Sequence, residues 1–152
     1  NKKCIAAKKL GAIECFNYKK VDFVDEIIKI TKNEGVNLIL DMVAGNYIKR
    51  NLKCLKQDGR LIIIAVQGGA TSEINLAQLM INRQTISGST LRPQSDKAKA
   101  AYIRSLKKNV WPLLNKRQIR PIIQKSFSFS KASYAHKALE KGDHVGKFLL
   151  KI

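Results

Sequence analysis

The chain has 152 residues, of which 45% are hydrophobic, and a formal net charge of +18. This length and apolar content suffice for one globular unit with a sizeable core. The longest apolar run, residues 61–66, is far below the ~20 residues that cross a bilayer, which predicts no membrane span. The first residues lack the apolar centre of a secretory signal, so we expect a cytoplasmic protein that begins mid-chain.

The first third of the chain is predicted to alternate between helix and strand. Residues 3–9 are expected to form a helix that Gly11 closes, and residues 12–18 a short strand. Asp22 is a candidate N-cap for a helix through Lys32, whose apolar residues recur at helical spacing.

Two continuous apolar runs, residues 36–41 and 60–66, are too short for helices and end at loops that contain glycine. They are typical of buried parallel strands. A helix over residues 46–55 is predicted between them, with Asp58-Gly59 as the turn into the second strand. Alternation of this kind indicates right-handed crossovers, and therefore an α/β fold with a doubly wound parallel sheet.

Beyond Gly69 the alternation of helix and strand changes its rhythm. In chain order the remaining elements are a helix over residues 73–82, a strand over residues 84–90, a helix from Ser95 toward Leu114 that Pro112 kinks or divides, a strand over residues 121–129, a helix capped by Ser130 through Leu139, and a strand over residues 147–152.

Three cysteines and two histidines offer little chemistry by their spacing. Cys4, Cys15 and Cys54 are odd in number and form no Cys-x-x-Cys pair, so we expect buried, reduced thiols. His136 and His144 have no acidic or thiol neighbour at ligand spacing, and no metal site is predicted.

The positive charge favours a second class of function, because phosphate backbones attract such a surface. The basic residues are mostly lysines spread along the whole chain. Neither an arginine-rich stripe nor basic residues interleaved with stacking aromatics is present. We therefore favour solvated lysine faces, and keep a nucleic-acid-binding module on a Rossmann remnant as an alternative.

Open α/β sheets bind ligands at the carboxyl ends of their strands, where the two glycine-containing loops lie. No Gly-x-Gly-x-x-Gly occurs in the sequence. The chain is therefore interpreted as the later half of a dinucleotide-binding enzyme, with its phosphate loop upstream of residue 1.

An ordered set of motifs resembles the medium-chain dehydrogenase/reductase superfamily over essentially the whole chain, and within it the zinc-free NADPH:quinone oxidoreductases of the zeta-crystallin type. The motifs are Leu10-Gly11-Ala12, Phe16-Asn17-Tyr18, Asp22-Phe23, residues 35–41, Asp58-Gly59-Arg60, Gly68-Gly69, residues 88–93 and His144-Val145-Gly146-Lys147. The resemblance implies a GroES-like catalytic domain with a Rossmann domain inserted into it.

In that arrangement, residues 1–120 would be a partial Rossmann domain without its first two strands, and residues 121–152 the returning segment of the catalytic domain. The predicted strand over residues 12–18 would then be separated from the strand over residues 36–41 by a gap. The resemblance also implies a homodimer that pairs through the strand ending near Ser89.

The resemblance further implies which residues contact NADPH. Lys3 and Tyr18 match positions around the adenosine 2′-phosphate, and Gly45 lies where the cofactor crosses the sheet edge. The other implied contacts are Ala65, Val66, Gln67, Ser89, Thr90, Leu91, Arg92, Gly146 and Lys147. Structural alternatives stay open: a solvated lysine for Lys3, strand-end packing for Tyr18, tight turns for Gly45 and Gly146, and an ion pair for Arg92.

The implied parent protein is an NADPH-dependent quinone or enone oxidoreductase that acts on a small molecule, and we expect the isolated chain to be inactive. No catalytic residue is named, because hydride chemistry belongs to the nicotinamide. A relative of zinc-type alcohol dehydrogenases and a non-functional remnant are the remaining alternatives.

Overall fold

The structure is a computed structural model that describes residues 2–152. The chain forms two compact units, Phe16–Gln94 and a second one that combines residues 2–15 with Ser95–Ile152. Across the described residues, no helix has both the length and the apolar character to cross a membrane. A domain boundary at residue 120 stays a prediction.

The described elements alternate between helix and strand. In chain order they are α1 (Lys2–Lys9), α2 (Phe23–Ile30), β1 (Val36–Asp41), α3 (Tyr47–Cys54), β2 (Leu55–Ile63), α4 (Leu76–Ile81), β3 (Thr85–Gly88), α5 (Asp96–Asn109), α6 (Trp111–Asn115), β4 (Ile123–Ser128), a short 3-10 turn (Phe129–Lys131), α7 (Ala132–Glu140) and β5 (Lys147–Lys151).

The unit Phe16–Gln94 contains a three-stranded sheet in the order β1-β2-β3, with both pairs parallel. Its core lies where Ile48 and Leu52 of α3 pack against Leu61 of β2, which is fully buried. The α/β fold with parallel strands is thereby confirmed. The opposite face of β1 is open, since Leu38 and Leu40 are 57% and 64% exposed.

The start of α2 is fixed by a capping group and an aromatic stack. The Asp22 carboxylate accepts a hydrogen bond from the Val24 amide at 2.8 Å, which confirms the predicted N-cap, and one from Arg50 at 2.9 Å. The Arg50 guanidinium lies 4.3 Å from the centre of the Phe23 ring, which stacks on Tyr47 at 5.5 Å. One side chain therefore joins α2 to α3.

We expect this junction to weaken in acid. The hydrogen bond from the Val24 amide and the neighbouring Arg50 lower the pKa of Asp22 in the folded chain. Its contribution to stability is therefore complete above the ordinary aspartate pKa, about 3.9, and is lost as pH falls through the lowered value. When the pH is lowered below about 4, the urea concentration at the unfolding midpoint should fall more for the wild type than for Asp22→Asn. The variant keeps an acceptor oxygen but has no charge to lose. Equal acid sensitivity of the two proteins would contradict this role.

The predicted strand over residues 12–18 is wrong. Gly11 turns the backbone with φ +105, and the Ala12 amide donates to the Ala7 carbonyl at 3.1 Å, so the segment folds back along α1. Further on, the Lys20 amide closes a turn on the Asn17 carbonyl at 2.8 Å. A segment forms a strand only beside a partner strand, and none of the described strands pairs with these residues. β1 is an edge strand of its sheet, and the expected gap beside it stays a prediction.

Two local details also differ from the predictions. β2 begins at Leu55, directly after α3, and passes through Asp58 with φ +61, so Asp58-Gly59 bends a strand instead of preceding it. Ser130 does not cap α7, because it lies within the 3-10 turn and α7 begins at Ala132. Its hydroxyl faces that of Ser128 at 3.1 Å.

The other unit holds a two-stranded parallel sheet of β4 and β5, against which α7 packs. Ser95 caps α5 by accepting from the Ala98 amide at 3.2 Å, as predicted. The helix divides at Val110, two residues before Pro112, and α6 follows. Proline at the second position of a helix loses no backbone hydrogen bond, which explains why the division falls there.

Candidate functional site

The carboxyl ends of β1, β2 and β3 lie at one edge of the parallel sheet, and a loop follows each of them. Backbone hydrogen bonds join the strand ends in sequence: the Ile64 amide donates to the Asp41 carbonyl at 2.8 Å, and the Ser89 amide donates to the Ile63 carbonyl at 2.9 Å. The three loops are therefore anchored by the strands themselves. This edge is the position at which open parallel sheets bind ligands.

Asp41 organises the first loop, and the sequence analysis did not single it out. The residue is 5% exposed, and its carboxylate accepts hydrogen bonds from the Val43 amide at 2.7 Å, the Ala44 amide at 3.1 Å and the Asn51 side chain at 3.0 Å. An acidic residue that ends an apolar strand was the available signal, because a buried charge requires donors nearby.

The first two loops touch through glycines. The Gly68 amide donates to the Val43 carbonyl at 2.6 Å, and Gly45 has φ +51. A Cβ at Gly45 would collide with the Gly68 carbonyl. Gly45 is thus required by the contact between loops as well as by its backbone conformation, and its contact with a cofactor stays a prediction.

The second and third loops border an open, shallow groove of about 420 Å³, which we call the strand-end groove. It is lined by Ile63, Ile64, Ala65, Val66, Gly88, Ser89, Thr90 and Gln94. Four of the predicted contacts therefore come together: Ala65, Val66, Ser89 and Thr90. The groove offers apolar walls, two hydroxyl groups and main-chain donors, which suits a partly polar ring system.

Other predicted contacts in this unit lie outside the groove lining. The Gln67 amide donates to the Met42 carbonyl at 3.3 Å, which places its backbone beside the first loop. Leu91 and Arg92 follow the groove on an exposed segment, and Arg92 forms no ion pair with any of residues 2–152. Tyr18 lies within the turn at residues 17–20 and is 63% exposed.

Three predicted contacts belong to the second unit and have structural partners there. The Lys3 ammonium group donates to the Gly142 carbonyl at 2.6 Å. Gly146 has φ +90, and a Cβ there would collide with Ile122, whose carbonyl accepts from the Lys147 amide at 2.8 Å. Gly146 is therefore explained by the start of the β4-β5 pairing.

The side chains that bind metals are dispersed. Among residues 2–152, no group of three histidine, cysteine or carboxylate side chains lies close enough to hold an ion. His144 packs on Phe148 with ring centres 5.0 Å apart, and its Nδ1 is buried without a hydrogen-bond partner in the described residues. The absence of a metal from the working protein stays a prediction.

The expectation of three buried thiols is wrong in two cases. Cys54 is buried, and burial raises the pKa of its thiol to about 11. Cys4 and Cys15 are only half-buried. The difference follows from position, since Cys54 ends α3 inside the core, whereas the other two lie on α1 and the segment after it.

Known proteins resemble the chain over nearly its whole length. Human quinone oxidoreductase is 28% identical over 144 residues, which cover 92% of this chain and 41% of that protein. A zinc-type alcohol dehydrogenase-like protein of Schizosaccharomyces pombe is 24% identical, with 96% and 41% covered. The chain thus spans about two fifths of the length of the relatives it matches.

Solved structures agree on the fold. The crystal structure of Escherichia coli quinone oxidoreductase complexed with NADPH superimposes with a TM-score of 0.81 at 24% identity, covering 99% of this chain and 47% of that one. The sequence profile of the family described as zinc-binding dehydrogenase matches residues 10–150. The chain therefore belongs to the zinc-binding dehydrogenase family, in the medium-chain dehydrogenase/reductase superfamily that its motifs predicted.

Proposed function

We propose that this chain supplies the carboxyl-edge part of a nicotinamide nucleotide site in an NADPH-dependent quinone or enone oxidoreductase. The observation that carries the proposal is the strand-end groove, in which Ala65, Val66, Ser89 and Thr90 meet between two anchored loops. The relatives include proteins named quinone oxidoreductase, one of them solved with NADPH. A small-molecule electron acceptor follows from the same resemblance.

The residues of the groove suit the nicotinamide end of such a cofactor. When bound, the nicotinamide supplies the hydride, and the protein contributes orientation and exclusion of water. Ser89 and Thr90 offer hydroxyl and main-chain groups to a carboxamide, whereas Ala65 and Val66 form an apolar wall. Gln67, Leu91 and Arg92 extend the same edge. Lys3, Tyr18, Gly146 and Lys147 are proposed as further cofactor contacts, with the 2′-phosphate assigned to Lys3 and Tyr18.

The isolated chain should nevertheless be inactive. The sequence holds no glycine-rich loop, so the helix N-terminus that binds a pyrophosphate in this fold is not supplied by these residues. The open face of β1 adds to this view, because Leu38 and Leu40 expose apolar area that a complete doubly wound sheet covers with helices. A functional site therefore needs further polypeptide, from a longer chain or from a partner.

Isothermal titration of the chain with NADPH tests the proposal. We expect a dissociation constant of about 1 mM or weaker, and weaker still for NADH, because most of the cofactor's contacts are missing. No quinone-dependent oxidation of NADPH should be measurable. Micromolar affinity together with turnover would contradict the predicted inactivity, and equal binding of NADH would contradict the role given to Lys3 and Tyr18.

The assembly is proposed to be a cytoplasmic homodimer. β3 is an edge strand of the described sheet, so its outer side is free to pair with a second copy. Analytical ultracentrifugation would report the oligomeric state in solution. The substitution Ile86→Pro, within β3, should shift the equilibrium from dimer toward monomer, because proline cannot donate a backbone hydrogen bond to a second copy. A monomeric wild type would remove this part of the proposal.

A further inference from the structure

The segment after α1 lies back along that helix. Gly11 reverses the backbone, and the Ala12 amide donates to the Ala7 carbonyl at 3.1 Å. Farther along, the Glu14 carboxylate lies 2.6 Å from the Lys8 ammonium group. These contacts are local to residues 2–15 and fix the returning segment beside α1.

This arrangement brings two thiols together. Cys4 and Lys8 are one turn apart on the same face of α1, so a residue next to Glu14 on the returning segment reaches Cys4. That residue is Cys15, and the neighbouring Cys4 thiol is the largest influence that raises the pKa of Cys15. Both cysteines are half-buried and free. They are therefore close to each other and open to small reagents.

We propose that Cys4 and Cys15 are a redox modification site, a dithiol that a low-molecular-weight disulfide such as oxidised glutathione converts into an intramolecular disulfide. The Cys4 thiolate attacks one sulfur of oxidised glutathione, the S–S bond breaks, and one glutathione thiolate leaves and takes up a proton. Cys15 then loses its proton to solvent and attacks the Cys4 sulfur of the mixed disulfide, releasing the second glutathione. Two protein thiols are oxidised and one glutathione disulfide is reduced to two thiols.

The order of the two attacks follows from the surroundings of the thiols. The hydrogen bond with Cys4, followed by burial, raises the pKa of Cys15, so Cys15 keeps its proton and acts second. Cys54 is the internal control. Its thiol is buried in the core and its pKa is raised to about 11, which leaves almost no thiolate at neutral pH.

The test is to incubate the reduced chain with oxidised glutathione, trap thiols by acid quenching and alkylation, and map the peptides by mass spectrometry. We expect one disulfide joining Cys4 to Cys15, with Cys54 alkylated. Cys54→Ser should form the same bridge. Cys15→Ser should instead accumulate glutathione on Cys4, because the second thiol is gone.

Repeating the reaction in urea shows how much the fold contributes to forming the disulfide, compared with the unfolded chain. Unfolding removes the contact between residues 12–15 and α1, so the fraction of bridged chain at the same glutathione ratio should fall by about tenfold. Circular dichroism of each variant verifies that it is folded. The proposal is overturned if the bridge includes Cys54, if the wild type stops at mixed disulfides like Cys15→Ser, or if urea leaves the bridged fraction unchanged.

Discussion

Gly45→Val is expected to destabilise the unit Phe16–Gln94 by at least about 3 kcal/mol. Two costs combine at this residue. The backbone has φ +51, which a β-branched residue adopts only with strain, and a Cβ would collide with the Gly68 carbonyl and its carbon atom. Both atoms belong to a backbone segment that is fixed by the hydrogen bond from the Gly68 amide to the Val43 carbonyl. Moving either atom away from the new side chain would therefore break or strain that hydrogen bond. Urea unfolding followed by circular dichroism measures the loss.

Two other glycines separate the costs. Gly142 has φ +65, but a Cβ there would meet only the Glu140 carbonyl at 4.0 Å, so Gly142→Ala should cost about 1 kcal/mol, from the backbone alone. At Gly88, the backbone is unstrained and a Cβ would meet the Ile63 carbonyl at 4.0 Å, so Gly88→Ala should change stability by less than about 0.5 kcal/mol. If Gly45→Val lowers the free energy of unfolding no more than Gly142→Ala does, the contact between the first two loops does not stabilise the carboxyl edge of the sheet.

Elements with a buried apolar face could be predicted from the sequence. The strand β1, the helix α3 and the caps of α2 and α5 lie near their predicted positions, because each combines a hydrophobic period with a capping or turn residue. The strand β2, predicted over residues 60–66, is present but covers Leu55–Ile63. Residues 12–18 contain β-branched and aromatic residues typical of strands, but no described strand pairs with them. Periodicity describes what a segment can form, whereas a strand also needs a partner that single-sequence reasoning does not supply.

The site was predictable to the extent that backbone position defines it. The ends of parallel strands lie at one edge of a sheet, and the family resemblance pointed to Ala65, Val66, Ser89 and Thr90 at that edge, where the groove now joins them. For Asp41 the sequence offers only the signal of an acidic residue that ends an apolar strand, because its three donors come from residues 43, 44 and 51, whose positions the fold decides. The same limit applies to Gly146, whose close neighbour Ile122 is distant in sequence.

Asp41→Ala is the second substitution from which we expect a large effect. It removes the acceptor of the Val43 and Ala44 amides and of the Asn51 side chain in a region that excludes water. Buried donors left without acceptors cost about 1–3 kcal/mol each, so a total loss of roughly 3 kcal/mol or more is expected. Hydrogen exchange of the Val43 and Ala44 amides should accelerate at least about tenfold, corresponding to 1.4 kcal/mol of local opening.

Exchanging the partners tests whether the interaction or the side-chain volume matters. The Ala44 amide and the Asn51 side chain share one oxygen of Asp41, and the Val43 amide uses the other. Asp41→Asn alone therefore turns its NH2 group against at least one donor, whereas Asp41→Asn with Asn51→Asp restores a donor opposite an acceptor at residue 51, so the double variant should be more stable than the sum of the single effects predicts. Asp143→Asn, at an exposed carboxylate, is the control and should stay within about 0.5 kcal/mol of the wild type. Strict additivity in the double variant would mean that Asp41 and Asn51 act independently, and the loop after β1 would then be held by the backbone amides of Val43 and Ala44 alone.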